Sequence, residues 1–297
     1  MHEEPAMSML KQHTPKCHKK QMNPTTKIYA DEQVSTAIIS GLKIRGLAVL
    51  LVNAILLISL ISFPARGQDS TDMIYVKGGE FMMGSTIYTR ETDQAPLHKV
   101  GLSSFYLDKC EVTQVDYQKS MLNNPSLNNL CPTCPAERVT WYEARAYCEK
   151  LGKRLPTEAE FEYALKAGAT TMYPWGQAPD SADAWAWHAG NSNQKTHPCG
   201  RKKANAFGLH DMTGNVWEWV GDYYDKDYYR NSPSRNPHGP DRGKYRSIRG
   251  GGYTSGPQAL LPTARDRCLP DRRRAFIGFR CAKDVGGENE LQAPMSR

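Results

Sequence analysis

Residues 205–219 read Asn205-Ala-Phe-Gly-Leu-His-Asp-Met-Thr-Gly-Asn-Val-Trp-Glu-Trp219. Glycine, asparagine and aspartate alternate here with large apolar side chains. No 3.6-residue period runs through the stretch, and glycine and asparagine favour left-handed turns. It therefore reads as a hydrogen-bonded turn between aromatic core residues. Gly, Pro, Asn, Trp and Tyr dominate from Gly168 to residue 262, and no apolar period there outlasts five residues. The sequence predicts short strands joined by irregular loops over this half.

Upstream the character is different. Thr140-Trp-Tyr-Glu143 and Thr157-Glu-Ala-Glu160 are both capping boxes, in which the threonine and the glutamate each satisfy one orphan amide of a helix start. The first helix carries Trp141, Ala144, Tyr147, Cys148 and Leu151 on one face and stops at Gly152. The second carries Phe161, Ala164 and Leu165 and stops at Gly168. Thr113 caps a shorter helix. Met73–Met83 reads as two strands around Gly78-Gly79, a hairpin signal, and Phe105–Leu107 as a further short strand.

The chain has 297 residues, 39% hydrophobic and 23% charged, with 24 glycines and 19 prolines. These values exclude a disordered or fibrous protein and argue against a helical bundle. The net charge of +7 divides into +3 over residues 1–45 and +4 over the rest, which is no nucleic-acid footprint. Gly46–Pro64 contains 17 uncharged residues, Leu47–Phe63, behind Lys43 and Arg45. Such a segment is a membrane anchor or a signal peptide cut near Ala65–Gln68; the sequence leaves both open. In either case the positive flank keeps the N-terminus inside, and the bulk of the chain lies outside the cytoplasm. The expected organisation is a disordered cytoplasmic tail (1–45), the membrane or signal segment (46–64), one domain (73–284) and a loose tail (285–297).

Five motifs appear in order: Gly152-Lys-Arg-Leu-Pro-Thr-Glu-Ala-Glu-Phe-Glu-Tyr163, Tyr173-Pro-Trp-Gly176, the 205–219 stretch, Arg249-Gly-Gly-Gly-Tyr253 and Gly278-Phe-Arg-Cys281. In that order and spacing they resemble the formylglycine-generating enzyme (sulfatase-modifying factor) family over about Met73 to Asp284. The resemblance implies a single α+β domain related to C-type lectins and rich in irregular structure. It also implies an oxidase reaction, conversion of a sulfatase cysteine to formylglycine, carried by two Cu(I)-binding cysteines. The matching positions are Ser255 and Leu260, or Leu261–Pro262 with a longer loop, with Gly252 at the motif's serine and Phe276 at its asparagine. A hydroxyl does not replace a thiolate on Cu(I), a soft ion, so copper is not expected.

The resemblance further implies a Ca²⁺ site formed by the Asp211 and Glu218 side chains with the Gly214 and Val216 carbonyls. Hard oxygen ligands suit that ion. Trp217, Tyr253 and Ser255 are the matching cleft positions, while Trp219 reads as core and Arg249 as a partner of buried carboxylates. A disulfide between Cys148 and Cys281 is implied in the same way. Cys268 matches half of a second family disulfide whose other half is Leu165 here. For Cys131-Pro-Thr-Cys134 three readings stand: a structural disulfide, a redox-active pair, or half of a zinc site. Seven cysteines lie beyond the membrane segment, an odd number, so at least one thiol is expected unpaired.

No nucleophile elbow, Walker loop, His-Glu-x-x-His or dinucleotide fingerprint is present, and the histidines are isolated. The functional expectation is an exported binding or envelope-complex module that takes a peptide, glycan or protein ligand. The alternative is a divergent oxidase or other maturation enzyme acting on an exported protein.

Overall fold

The computed structural model describes residues 72–86 and 92–286. The expected tail, the Leu47–Phe63 segment and nearly all of the 285–297 tail lie outside them. Among the described residues no helix is long and apolar enough to cross a membrane.

The described residues form short helices and three small sheets, with most of their length in loops. Strand β1 (Met73–Val76) is followed directly by β2 (Gly79–Met83), but the two do not form a hairpin. Instead β1 pairs antiparallel with β4 (Phe105–Asp108), and β2 pairs with β3 (His98–Leu102). The register continues across the break, Val76 facing Phe105 and Gly79 facing Leu102. The glycine pair expected to turn the chain carries it straight on. The physical reason is close approach: a Cβ on Gly78 would sit 2.4 Å from the Leu102 carbonyl oxygen. The Gly78 amide donates to Ser104 Oγ at 2.9 Å, so a side chain replaces a ladder bond there. Strand β9 (Ala282–Asp284) completes the first sheet on β4.

Three helices follow: α1 (Gln114–Met121), α2 (Trp141–Lys150) and α3 (Glu158–Lys166). Thr113 caps α1, and both capping boxes close as the sequence reads. Leu151 is not part of the buried face of α2; it is the C-cap and is 41% exposed. Helix α3 buries its apolar face and also Glu158, Glu160 and Glu162, because arginines from other elements meet them.

The third sheet is ordered β7 (Arg265–Cys268), β6 (Arg246–Arg249), β5 (Trp217–Tyr223), β8 (Ile277–Gly278). Strand β8 runs parallel to β5; the other pairs are antiparallel. One apolar core lies between the first two sheets, α3 and Leu209, Met212 and Val220. A second joins α1 and α2 to Trp217, Trp219, Ile277 and Phe279. The indole N–H groups stitch this second core to backbone: Trp219 donates to the Val139 carbonyl and Trp141 to the Val220 carbonyl.

The Cys148–Cys281 disulfide joins α2 to the approach to β9 across 133 residues of sequence. Closing so long a loop stabilises by about 5 kcal/mol in the chain-entropy model. Replacing both cysteines with alanine is expected to lower unfolding free energy by roughly that amount, measured by denaturant titration.

Candidate functional site

The 205–219 stretch is built by its own side chains. Asn205 Oδ1 accepts the amides of Phe207 and Leu209, and its Nδ2 donates to the Ala164 carbonyl on α3. Asp211 and Asn215 adopt left-handed backbone, as does Gly214, whose Cβ would lie 2.4 Å from the Trp187 oxygen. This contorted loop turns its polar groups inward. Asn215 Oδ1 accepts the His197 amide, and Nδ2 donates to Glu111 Oε1 at 3.0 Å and to the His197 carbonyl. Asp211 Oδ2 accepts the Gly200 amide at 2.8 Å.

Two carboxylate oxygens beside this loop, Glu111 Oε2 and Asp211 Oδ1, are buried without a hydrogen-bond partner. Ligand atoms of Glu111, Asp211 and Cys199 lie within 4.8 Å of one another. Cys199 is bonded to Cys110, so its sulfur is no thiolate. The carboxylates are the donors that count.

Glu218 behaves differently from the expectation. Both its oxygens hold Arg280, each at 2.7 Å, in a pair that is almost wholly buried. Arg280 also donates to the carbonyls of Asp108 and His210. The structure thus assigns Glu218 to a guanidinium and sets Glu111, which the sequence reading missed, beside Asp211. No sequence signal marks it: Glu111 lies between Cys110 and Val112 but closely follows Asp108 and Lys109.

Burial dominates the electrostatics. It pushes Glu111 well above the usual carboxylate range, reinforced by the nearby Asp211 and Glu218 charges. It pushes Asp211 up to about 6, against the Gly200 amide and Arg280. It raises Glu218 too, although Arg280 opposes the shift. Three carboxylates share one buried guanidinium, so the cluster carries excess negative charge whenever all three ionise. Unpaired buried carboxylate oxygens with that excess fit a hard cation and its oxygen-rich shell.

The cleft positions gather on the other side of the same loop. The Tyr253 amide donates to the Asn215 carbonyl, and Ser192 Oγ donates to the Tyr253 carbonyl. Ser255 Oγ accepts the Gly252 amide at 2.9 Å, and the Ser255 carbonyl accepts from the Ala189 amide. Trp217 is nearly buried, and a Cβ on Gly252 would meet its ring at 3.2 Å. Leu260 is 2% exposed and packs with Tyr173 and Ala182. Neither Ser255 nor Leu260 supplies a soft ligand, and both are engaged in holding the loop. A shallow pocket lies instead against Leu165, Trp175, Trp185 and Lys203, reaching Asp211 but none of the cleft residues.

Residues 61–285 match the model of the sulfatase-modifying factor enzyme 1-like domain. The chain belongs to this family. It is 38% identical over 169 residues to formylglycine-generating enzyme of Streptomyces coelicolor, covering 52% of this chain and 54% of that protein. It is 35% identical over 243 residues to serine/threonine-protein kinase pkn1 of Chlamydia caviae, covering 72% of this chain but 38% of the kinase. The chain therefore spans about two-fifths of the length of that curated relative. Treponema denticola variable protein 1 superposes with a TM-score of 0.68 at 27% identity, covering 72% of this chain and 95% of its own. The formylglycine-generating-enzyme-like fold expected from the motifs is the fold observed.

Within the family domain, the remaining cysteines are placed as follows. Cys131 is bonded to Cys134, so the pair offers no zinc thiolates, and Cys268 is the free thiol among the described residues. Arg249 is fully buried and pairs with Glu162 at 2.7 Å.

Removing Arg280 is the sharpest perturbation of this site. Arg280→Met leaves Glu218 buried without its partner and is expected to cost about 3–5 kcal/mol in denaturant unfolding. The double change Arg280→Met with Glu218→Leu is expected to recover most of that loss, because it removes both charges together.

Proposed function

We propose that residues 73–284 form an exported module of the sulfatase-modifying factor fold that binds a peptide, glycan or protein partner without copper-thiol oxidation. The observation that carries this reading is the state of the two copper-ligand positions. Ser255 Oγ is occupied by the Gly252 amide, and Leu260 is sealed in an apolar cluster. The framework around them, by contrast, is intact. Three disulfides support folding in an oxidising compartment outside the cytoplasm. Leu47–Phe63 would carry export, as an anchor or as a cleaved signal.

A Ca²⁺ ion belongs to the same reading. Glu111 and Asp211 would hold it, with the Gly214 and Val216 carbonyls that the family resemblance indicates. Its role would be structural, neutralising two buried carboxylates and pinning the loop beneath Tyr253. Ca²⁺ at 100-fold excess over its Kd is then expected to raise Tm by about 5–10 °C relative to chelator. Asp211→Asn is expected to abolish that response while leaving the chelated protein at least as stable, since it removes a poorly compensated buried charge. An equal Tm with Ca²⁺ and with chelator would reject the site.

The functional reading is tested by loading the full chain with Cu(I) and offering a cysteine-containing sulfatase peptide. No aldehyde is expected by mass spectrometry; its formation would establish the enzyme reading instead. A photo-crosslinking residue at position 253, used in native envelopes, is expected to capture a saturable partner. Competition by the excess unlabelled chain should remove the adduct.

A further inference from the structure

Beyond the cleft, the surface around residues 122–134 has an organisation that the binding role does not use. Cys131-Pro-Thr-Cys134 closes a disulfide across three residues, whereas the other two disulfides span 89 and 133. In the chain-entropy model so short a loop contributes the least to folding, about 2 kcal/mol against about 5. Opening it therefore costs the fold least.

The two sulfurs are unequally placed. Cys131 is half-buried and Cys134 is fully buried. Backbone hydrogen bonds hold the same turn as the S–S bond. The Cys134 amide donates to the Cys131 carbonyl, and the Gln114 and Val115 amides at the start of α1 donate to the Cys134 and Pro132 carbonyls, each at 2.9 Å. The reduced state is also provided for. Cys134 Sγ lies 3.6 Å from the Thr196 carbonyl, an acceptor for a thiol, and 3.9 Å from Asn128 Nδ2, a donor for a thiolate.

Asn128 is itself held by a buried acid. Its amide and that of Leu127 donate to Glu137 Oε1, while Glu137 Oε2 is buried without a partner. Above this frame, Leu127 and Leu130 turn outward, 64% and 92% exposed. These two exposed leucines, four residues and one residue ahead of the half-buried Cys131, offer apolar surface to an extended, unfolded segment.

We propose that Cys131–Cys134 is a thiol–disulfide exchange site that passes its disulfide to a cysteine pair in an unfolded polypeptide docked on Leu127 and Leu130. A thiolate of the polypeptide attacks Cys131 Sγ, forming a mixed disulfide and expelling Cys134 as a thiolate beside Asn128. The second thiolate of the polypeptide attacks its own sulfur in the mixed disulfide and releases Cys131. The polypeptide loses two electrons and two protons, and Cys131 and Cys134 gain them. Exchange with an external low-mass disulfide, such as oxidised glutathione, restores the starting state. This reading stands apart from the proposed cleft function and survives its failure.

The test uses the full chain. It is equilibrated in glutathione buffers, alkylated and mapped by mass spectrometry. Cys131–Cys134 is expected to open while Cys110–Cys199 and Cys148–Cys281 stay closed; opening of all three together, or of this one last, would overturn the proposal. With a reduced, unstructured peptide carrying two cysteines, one peptide disulfide is expected per chain, with loss of the reaction in Cys131→Ser. With the oxidised peptide, Cys134→Ser is expected to trap a mixed disulfide at Cys131. Leu127→Ser combined with Leu130→Ser is expected to slow peptide oxidation about 10-fold, the equivalent of losing part of one leucine's burial, with exchange against glutathione unchanged. Peptide oxidation that persists in Cys131→Ser, or equal slowing with peptide and glutathione, means a purely structural disulfide or no docking rim.

Discussion

The fold is organised around the buried pair of Arg280 and Glu218. Its two 2.7 Å contacts join the segment after β8 to the central strand β5. The remaining guanidinium hydrogens reach the Asp108 and His210 carbonyls, so one side chain binds the end of β4, the 205–219 loop and β5 together. Cys281, the next residue, adds a covalent tie to α2, and its amide donates to Asp108 Oδ2. A buried ion pair is not by itself a large source of stability. Here it acts as a constraint: once Arg280 is buried, Glu218 has to face it, and the loops on either side take their places accordingly.

The same constraint creates the acidic cluster. Arg280 satisfies Glu218 in full and leaves Glu111 and Asp211 with one unpartnered oxygen each. In a chain this irregular, such a site cannot be made by a helix face or a strand ladder. It is made by residues in left-handed backbone, Asp211, Gly214 and Asn215, which turn amides and carbonyls inward. Around α3 a second ionic group repeats the logic. Arg265 grips Glu158 with two bonds, and Arg249 and Lys166 both reach Glu162. Burial alone would raise Glu162, but those two cations hold it below the usual carboxylate range. Each ionic group ties together segments that are far apart in sequence, which helps small sheets and short helices hold one arrangement.

Helix starts were readable because their physics is local. A threonine and a glutamate three residues apart close a capping box whatever lies elsewhere, and both boxes form as read. The Gly78-Gly79 reading failed for the complementary reason. A glycine pair permits a turn but does not require one, and Gly78 was needed for close packing against Leu102 and Ser104. Leu151 likewise fell just outside its helix, because the chain leaves α2 at Lys150. Glu111 was hidden because an acid so close behind Asp108 and Lys109 carries no period and no motif.

The sequence alone determined the family, the α+β class, the three capped helices and the loop-rich character of residues 168–262. Each rests on local chemistry or on motifs whose order along the chain is enough. Only the tertiary structure decided that Glu218 faces Arg280, that Glu111 lies beside Asp211 and that Cys110 bonds Cys199 rather than Cys131 or Cys268. Those choices join residues 62 to 100 positions apart. They depend on which charges are desolvated together, a quantity that exists only once the chain has packed.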